Sequence, residues 1–194
     1  MAKLHFRYGP MGSSKTAQVL MTRFNYLERG RSVLLMKPST DTRDGVSKIR
    51  SRIGLEADAV VIHPNDDISV HMVKTHADVI IVDEAQFLKR DQVIQLRDIV
   101  SKYNIPVMCY GLRTDFQGHL FEGSKALFEL ADEIQDIPSI CDCGEKAIIN
   151  ARFDTNGNII VSGNVVDLGG NEKYKAVCWS CYQKLIKNLA GNIN

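Results

Sequence analysis

The sequence predicts an α/β fold in which helices flank a parallel β-sheet, followed by a small β-rich unit that is held by a metal. Short apolar runs alternate with amphipathic helical patterns through the first two thirds of the chain, which is typical of a parallel sheet with right-handed crossovers. Four of the five cysteines then fall as two close pairs in the last third. Near Pro138 the alternation of strand and helix patterns gives way to cysteine pairs and glycine-bearing turns, which predicts two domains, residues 1–138 and 139–194.

The predicted strands are apolar runs bounded by polar or turn residues. The runs 32–37 and 79–83 are almost continuously apolar, as expected for strands buried on both faces. We predict strands over 4–8, 33–36, 59–62, 79–82 and 106–110. Helical periodicity predicts helices over 15–28, 92–103 and 124–131, with a short one at 182–189 near the C-terminus. Gly30 follows the first of these as a helix stop.

The composition excludes several classes of protein. The 194 residues are 44% hydrophobic and 24% charged, which is ordinary for a globular protein. With 24 basic and 23 acidic residues there is no basic field, so we expect no nucleic-acid partner. No apolar run approaches the ~18 residues of a membrane helix, and the first residues lack a signal-peptide core. We expect a soluble cytoplasmic protein without a membrane partner.

A glycine-bearing loop lies between the first strand and the first helix. A phosphate loop needs inward-facing N–H groups, a lysine for the β/γ charge, a hydroxyl for Mg²⁺ and a helix N-terminus. Lys15 and Thr16 match these chemical roles, whereas Ser14 stands where the usual pattern has glycine, and we expect it to crowd the phosphates or strain the loop. The alternative is an ordinary strand–helix turn with a surface lysine. The loop is Gly9–Pro10–Met11–Gly12–Ser13–Ser14–Lys15–Thr16.

Two acidic residues follow the buried strand at 79–82. In a parallel sheet, ligands collect at the carboxyl ends of the strands, and an aspartate there supports Mg²⁺ in phosphate-loop enzymes. Asp83 is predicted to face the metal through water, and Glu84 to position or deprotonate an attacking hydroxyl. Asp41 and Arg43 follow the second strand, where Asp41 can join the Mg²⁺ water shell and Arg43 can stabilise the transferred charge. Solvated polar loops are the alternative for both clusters.

The paired cysteines predict a structural zinc site. Cys141 and Cys143 form a C-x-C pair, and Cys178 and Cys181 form the usual C-x-x-C pair. Four thiolates suit tetrahedral Zn²⁺ in a closed, structural site. Redox chemistry is the alternative, but no thioredoxin-like context surrounds either pair. Cys109 lies in an apolar run and is predicted to be a buried, inert thiol.

Together these residues resemble the zinc-containing (type II) thymidine kinases of bacteria, their viruses and the animal cytosol. The similarity covers nearly the whole chain, and it is the order and spacing of the motifs that makes it specific. Besides the loop, Asp41–Thr42–Arg43 and the four cysteines, it includes Ser51–Arg52–Ile53–Gly54, Asp83–Glu84–Ala85–Gln86–Phe87, Tyr110–Gly111–Leu112–Arg113–Thr114–Asp115–Phe116, and Gly169–Gly170 before Tyr174.

The resemblance implies an ATP:thymidine 5′-phosphotransferase of the P-loop fold with a zinc-bound lasso domain. It implies that Glu84 is the proton acceptor, that Lys15 and Arg43 act in catalysis, and that ATP and Mg²⁺ also contact residues 9–16, Asp41, Asp83, Ala85 and Gln86. The implied nucleoside pocket consists of Met11, Phe87, Leu112, Phe116, Phe121, Val165, Val166, Asp167, Leu168, Gly169 and Tyr174. The family is generally a homotetramer or dimer and is inhibited by dTTP.

Three rival interpretations are open at this stage. Asp83–Glu84–Ala85–Gln86 also resembles a helicase box, although the chain is short for two recombinase-like lobes. A zinc-held nucleic-acid-binding module is the second rival, and the near-zero net charge disfavours it. The third keeps the fold but has lost the activity through Ser14.

Overall fold

A computed structural model describes residues 1–42, 45–165 and 173–191, and its main element is a six-stranded parallel sheet. The strands run in the order β5-β2-β6-β7-β1-β8, and every pairing between neighbours is parallel. The predicted α/β fold is thereby confirmed. The six strands are β1 (Leu4–Tyr8), β2 (Val33–Pro38), β5 (Val60–Ile62), β6 (Val79–Val82), β7 (Val107–Gly111) and β8 (Glu133–Asp136).

Helices cover both faces of this sheet. Ile80 and Val82 of β6 pack with residues of α2, α3 and α4, whereas Val79 and Ile81 pack with residues of α1. This alternation explains the continuous apolar run of β6, because successive side chains point to opposite faces and both faces are buried. The helices are α1 (Lys15–Glu28), α2 (Ile68–Thr75), α3 (Arg90–Tyr103), α4 (Glu122–Leu130) and, after the sheet, α5 (Trp179–Gly191).

Two smaller sheets complete the described part of the chain. β3 (Lys48–Arg50) and β4 (Glu56–Asp58) form an antiparallel hairpin between β2 and β5. Three antiparallel strands, in the order β10-β9-β11, form the C-terminal sheet. Its strands are β9 (Ile149–Phe153), β10 (Ile159–Ile160) and β11 (Tyr174–Val177). The predicted β-rich C-terminal unit is therefore present.

The predicted element bounds differ from the structure mainly where the first turn of a helix is polar. Helix α3 begins at Arg90 rather than residue 92, and the Gln92 side chain accepts a hydrogen bond from the Lys89 N–H (3.1 Å) to cap it. Helix α2 was missed, although Asp67 is a good N-cap whose side chain accepts from the Ser69 N–H (2.9 Å). None of the helices in the described ranges combines the length and apolar character needed to cross a lipid bilayer.

Candidate functional site

The loop after β1 has the backbone of a phosphate-binding turn. Gly12 (φ +80°) and Ser14 (φ +61°) both lie in the left-handed region. Ser14 therefore occupies a position that favours glycine, which is why the usual pattern has glycine there. At Gly9 a Cβ would lie 2.4 Å from the Ile137 carbonyl oxygen, so only glycine fits. The loop ends at the N-terminus of α1, where backbone N–H groups favour anions.

The Lys15 ammonium lies inside this loop. It is buried and donates hydrogen bonds to the carbonyl oxygens of Gly9 (3.0 Å) and Pro10 (2.7 Å). It also contacts the Ser13 hydroxyl at 3.3 Å. The structure thus places the predicted phosphate-binding charge at the centre of the loop, next to the helix N-terminus.

Asp83 directly follows β6 and lies beside the phosphate loop. Its carboxylate accepts hydrogen bonds from the Glu84 N–H (3.0 Å) and from the Thr16 hydroxyl. Burial, reinforced by the neighbouring Glu84 carboxylate, raises the pKa of Asp83 to about 7, while Thr16 and Lys15 act in the opposite direction. A hydroxyl and a carboxylate thus meet beside a lysine, which is the donor set that supports Mg²⁺ on a phosphate chain.

Glu84 is buried and has left-handed backbone angles (φ 51°, ψ 36°). A glutamate rarely adopts this conformation, and holding it there costs on the order of 1–3 kcal/mol. The single 3₁₀ turn Ala85–Phe87 follows directly. The backbone strain turns the Glu84 side chain to the carboxyl edge of the sheet, where the phosphate loop lies.

Gln86 fixes the orientation of Glu84. Its side-chain amide donates to Glu84 Oε2 (2.5 Å), and its Oε1 accepts from the Leu112 N–H (3.0 Å). Gln86 is 1% exposed, and a Cβ on Gly111 would lie 2.6 Å from its Oε1. Glycine at 111 is therefore what lets this amide reach between β6 and β7. Sequence reasoning had assigned Gln86 only to the surroundings of ATP.

These groups surround one cavity of about 280 Å³. It is lined by the phosphate loop with the start of α1, by Glu84 and by the tip of the β3–β4 hairpin. A cavity of this size, lined by cations and one acidic group, suits the phosphate chain of a nucleotide and its acceptor. The lining residues are Met11, Gly12, Ser14, Lys15, Thr16, Ala17, Arg50, Ser51, Arg52, Ile53, Glu84 and Leu112.

The residues predicted for the nucleoside pocket do not all lie in one place. Met11 and Leu112 line the cavity. Phe87 and Phe121 contact each other edge to face, with ring centroids 5.6 Å apart. Phe116 is buried and accepts a hydrogen bond at its carbonyl from the Tyr182 hydroxyl (3.2 Å). Val165 is exposed, and the predicted positions Val166, Asp167, Leu168 and Gly169 lie outside the described residues.

The loop after β2 is anchored by a buried lysine that sequence reasoning missed. Lys37 is fully buried; its ammonium pairs with the Asp41 carboxylate (3.2 Å) and donates to the Lys48 carbonyl (2.9 Å). Asp41, predicted for the Mg²⁺ shell, is thus bound to Lys37. Arg43 lies outside the described residues. A lysine in an otherwise apolar strand was the available signal, because a buried ammonium must find acceptors.

The four paired cysteines converge. Their Sγ atoms all lie within 4.8 Å of one another, and those of Cys143 and Cys178 are 3.6 Å apart. Tetrahedral Zn²⁺ with ~2.3 Å bonds separates its sulfurs by about 3.8 Å, so the cluster fits zinc. Hydrogen bonds from the backbone of Cys143 and Cys178 lower the pKa of Cys141 to about 6, which favours the thiolate. Cys109 is fully buried, and burial raises its pKa far above the usual range.

Two side chains of β9 connect the C-terminal unit to the cavity region, and neither was predicted. The Asn150 Oδ1 accepts from the Met11 N–H of the phosphate loop (2.7 Å). The Arg152 guanidinium lies 5.3 Å from the ring centroid of Phe116 and 5.9 Å from that of Tyr174. Asn150 is 4% exposed, and a buried amide in an apolar strand signals such a partner.

Comparison with known proteins identifies one family over nearly the whole chain. The family model described as thymidine kinase matches residues 2–182. A thymidine kinase of Vibrio cholerae is 44% identical over 191 residues, covering 96% of this chain and 99% of the relative. Those of Rhodopirellula baltica (44%; 98% and 92% covered) and Novosphingobium aromaticivorans (45%; 92% and 95%) are similarly close. A solved DNA replication initiation factor aligns with a TM-score of only 0.41 at 17% identity, covering 71% of this chain and 40% of that one, too distant to bear on function.

Proposed function

The chain belongs to the thymidine kinase family, and on that premise we propose that it transfers the γ-phosphate of ATP to the 5′-hydroxyl of thymidine, and also of deoxyuridine. The product dTMP serves salvage for DNA synthesis. The observation that carries the proposal is that Lys15, Thr16 and Glu84 line one cavity, with Asp83 hydrogen-bonded to Thr16. The test is transfer of label from ATP to thymidine, with deoxyuridine, deoxycytidine and no nucleoside in parallel. Label released only as free phosphate would contradict it.

In this proposal Glu84 accepts the proton of the 5′-hydroxyl. It lines the same cavity as Lys15, and the Gln86 amide donates a hydrogen bond to its carboxylate. Lys15, with the N-terminus of α1, stabilises charge on the β- and γ-phosphates. Phosphoryl transfer depends mainly on such positioning and charge stabilisation, so little further chemistry is required of the protein. Arg43 is proposed to assist from the loop after β2.

The proposed cofactors are Mg²⁺ with ATP and structural Zn²⁺. The Thr16 hydroxyl and the Asp83 carboxylate would hold Mg²⁺, which neutralises phosphate charge. The four cysteine sulfurs would hold Zn²⁺, which stabilises the fold of the C-terminal unit. We further propose a boundary near residue 138 between the kinase domain and the zinc domain.

The proposed nucleoside site lies between Met11, Leu112 and the aromatic residues, with residues 165–169 and Tyr174 reading the base edge. Met11 and Leu112 already line the cavity beside Glu84. We propose a cytoplasmic homotetramer or dimer, inhibited by dTTP and without a nucleic-acid or membrane partner. The family similarity supports these proposals.

Replacing Ser14 by glycine is expected to retain or raise turnover. Serine in a left-handed conformation costs ~1–2 kcal/mol, whereas glycine costs ~0.5–1 kcal/mol in chain entropy. We therefore expect a change in unfolding free energy below about 1 kcal/mol, checked by thermal unfolding and steady-state kinetics in ATP. Ser14→Val is the contrast, because a β-branched residue tolerates this conformation poorly. A large loss of activity in Ser14→Gly would show that the serine hydroxyl itself is used.

Replacing Gln86 by leucine is expected to lower kcat about tenfold with KM for ATP changed less than about threefold, because the Glu84 carboxylate loses the donor that orients it. The matched control is Gln92→Leu: Gln92 is also buried, and its amide donates to the His63 carbonyl (2.7 Å) far from the cavity. Both variants should lose ~1–3 kcal/mol of stability. An equal fall of kcat in both would mean that Gln86 is only structural.

A further inference from the structure

The β3–β4 hairpin carries an arginine that faces the phosphate loop. Arg52 is exposed at the hairpin tip, and it lines the same cavity as Lys15. A Cβ placed on Gly12 would lie 3.9 Å from the Arg52 Nη1. The guanidinium is therefore next to the turn of the phosphate loop.

Contacts with β2 and with the core hold the hairpin that carries Arg52 in place. The buried ammonium of Lys37 donates to the Lys48 carbonyl at the start of β3, and Ile49 is 2% exposed in the core beside α1. The tip is a closed turn, because Ser51 and Leu55 exchange hydrogen bonds (Ser51 N–H to Leu55 O, 2.8 Å; Leu55 N–H to Ser51 Oγ, 3.0 Å). Arg52 thus extends from a fixed element, as a ligand-binding side chain requires.

The two arginines of the hairpin differ in their partners. Arg50 is bound to Glu56 of β4, with Nε and Nη2 at 3.0 Å and 2.9 Å from Oε2. Within the described ranges of the chain, Arg52 has neither an ion pair nor a hydrogen bond through its side chain. Both arginines line the cavity, but only the Arg50 guanidinium is paired with a carboxylate there, so that of Arg52 is available to a ligand.

We propose that Arg52 binds the terminal phosphates of ATP from the hairpin side, so that the transferring phosphoryl group lies between the Arg52 guanidinium and the Lys15 ammonium. The inference rests on the proposed function and adds a residue to it. A planar guanidinium can donate two parallel hydrogen bonds to phosphate oxygens. Charge on the γ-phosphoryl group spreads over its equatorial oxygens during transfer, so a cation on the second side stabilises it further.

The test compares Arg52→Gln with Lys48→Gln, which removes a positive charge from the same hairpin at a side chain that pairs with Glu56 and does not line the cavity. For Arg52→Gln we expect kcat/KM for ATP to fall about 100-fold, within the range for a lost charge-assisted contact to a transferring phosphoryl group. KM for thymidine should change less than about threefold, and Lys48→Gln should lower kcat/KM for ATP less than about threefold. Arg52→Lys should recover only part of the loss, because an ammonium lacks the paired donors.

Equal effects of the two glutamine variants would overturn the proposal, because they would show that any positive charge on the hairpin assists ATP to the same extent. The dissociation constant of Mg²⁺–ATP, measured by calorimetry, should rise at least tenfold in Arg52→Gln but not in Lys48→Gln, and an unchanged value with an unchanged kcat would also overturn it. Failure of the proposed function is distinguishable: the unaltered chain would then bind Mg²⁺–ATP in an Arg52-dependent way without labelling thymidine.

Discussion

Glu84→Gln is expected to lower kcat for thymidine phosphorylation about 10³-fold while the affinity for Mg²⁺–ATP stays within about threefold. Glutamine has nearly the same shape but cannot accept the proton of the 5′-hydroxyl, and general-base catalysis contributes about 10²–10⁴-fold. The substitution also keeps a polar group against the Gln86 amide, so the buried turn at residues 85–87 retains a hydrogen-bonding partner. Single-turnover transfer of labelled phosphate measures the chemical step directly.

Circular dichroism and calorimetric ATP binding serve as the control for folding in this variant. Glu84→Asp is a useful companion, because it keeps the carboxylate but shortens its reach, and we expect an intermediate kcat. Turnover of Glu84→Gln within tenfold of the unaltered enzyme would exclude Glu84 as the base. Transfer would then rest on the phosphate loop and the cations alone.

Replacing one of the four clustered cysteines should also lower activity strongly, because it should unfold the C-terminal unit rather than remove a reacting group. Cys141→Ser is expected to abolish zinc binding, to unfold the C-terminal unit and to lower thymidine phosphorylation at least 100-fold. Among the residues that the structure describes, the hydrophobic cluster around the cysteines contains eight buried residues, of which Cys141 and Cys178 are two. Such a small core rarely folds without a metal, and structural zinc contributes apparent binding energies of about 10–16 kcal/mol. Metal content per chain, thermal unfolding and activity are measured together.

Cys109→Ala is the matched control, because Cys109 is buried in the main core beneath the parallel sheet and is not one of the four clustered cysteines. It should lose some stability through the small cavity but keep one zinc per chain. Full activity of Cys141→Ser without bound metal would show that the C-terminal unit folds unaided. Loss of all helical signal would show that the two units do not fold separately.

The sequence was most informative where one physical cause dominates. The burial of β6 on both faces leaves a continuous apolar run, so its end at Val82 was predictable to the residue. The phosphate loop was predictable because backbone chemistry demands its glycines and its lysine, and even the strain at Ser14 follows from that rule. The convergence of the four cysteines followed from their pairing along the chain.

The features that were missed depend on contacts between distant segments. The short strands β3 and β4 are charged and weakly patterned, so nothing local shows that the turn between them lines the cavity. The bond of Gln86 to the Leu112 N–H joins two strands that are adjacent only in the folded sheet. The same holds for Asn150, whose partner Met11 lies near the other end of the chain. Periodicity carries no information about such pairings.

The hydrogen bond between Asn150 and the Met11 N–H links the C-terminal sheet to the loop after β1. The acceptor lies in β9, whose Ile149 and Ala151 pack in the same cluster as Cys141 and Cys178. A change that disorders this cluster would therefore disturb the backbone of the loop, although Lys15 and Glu84 themselves are unaltered.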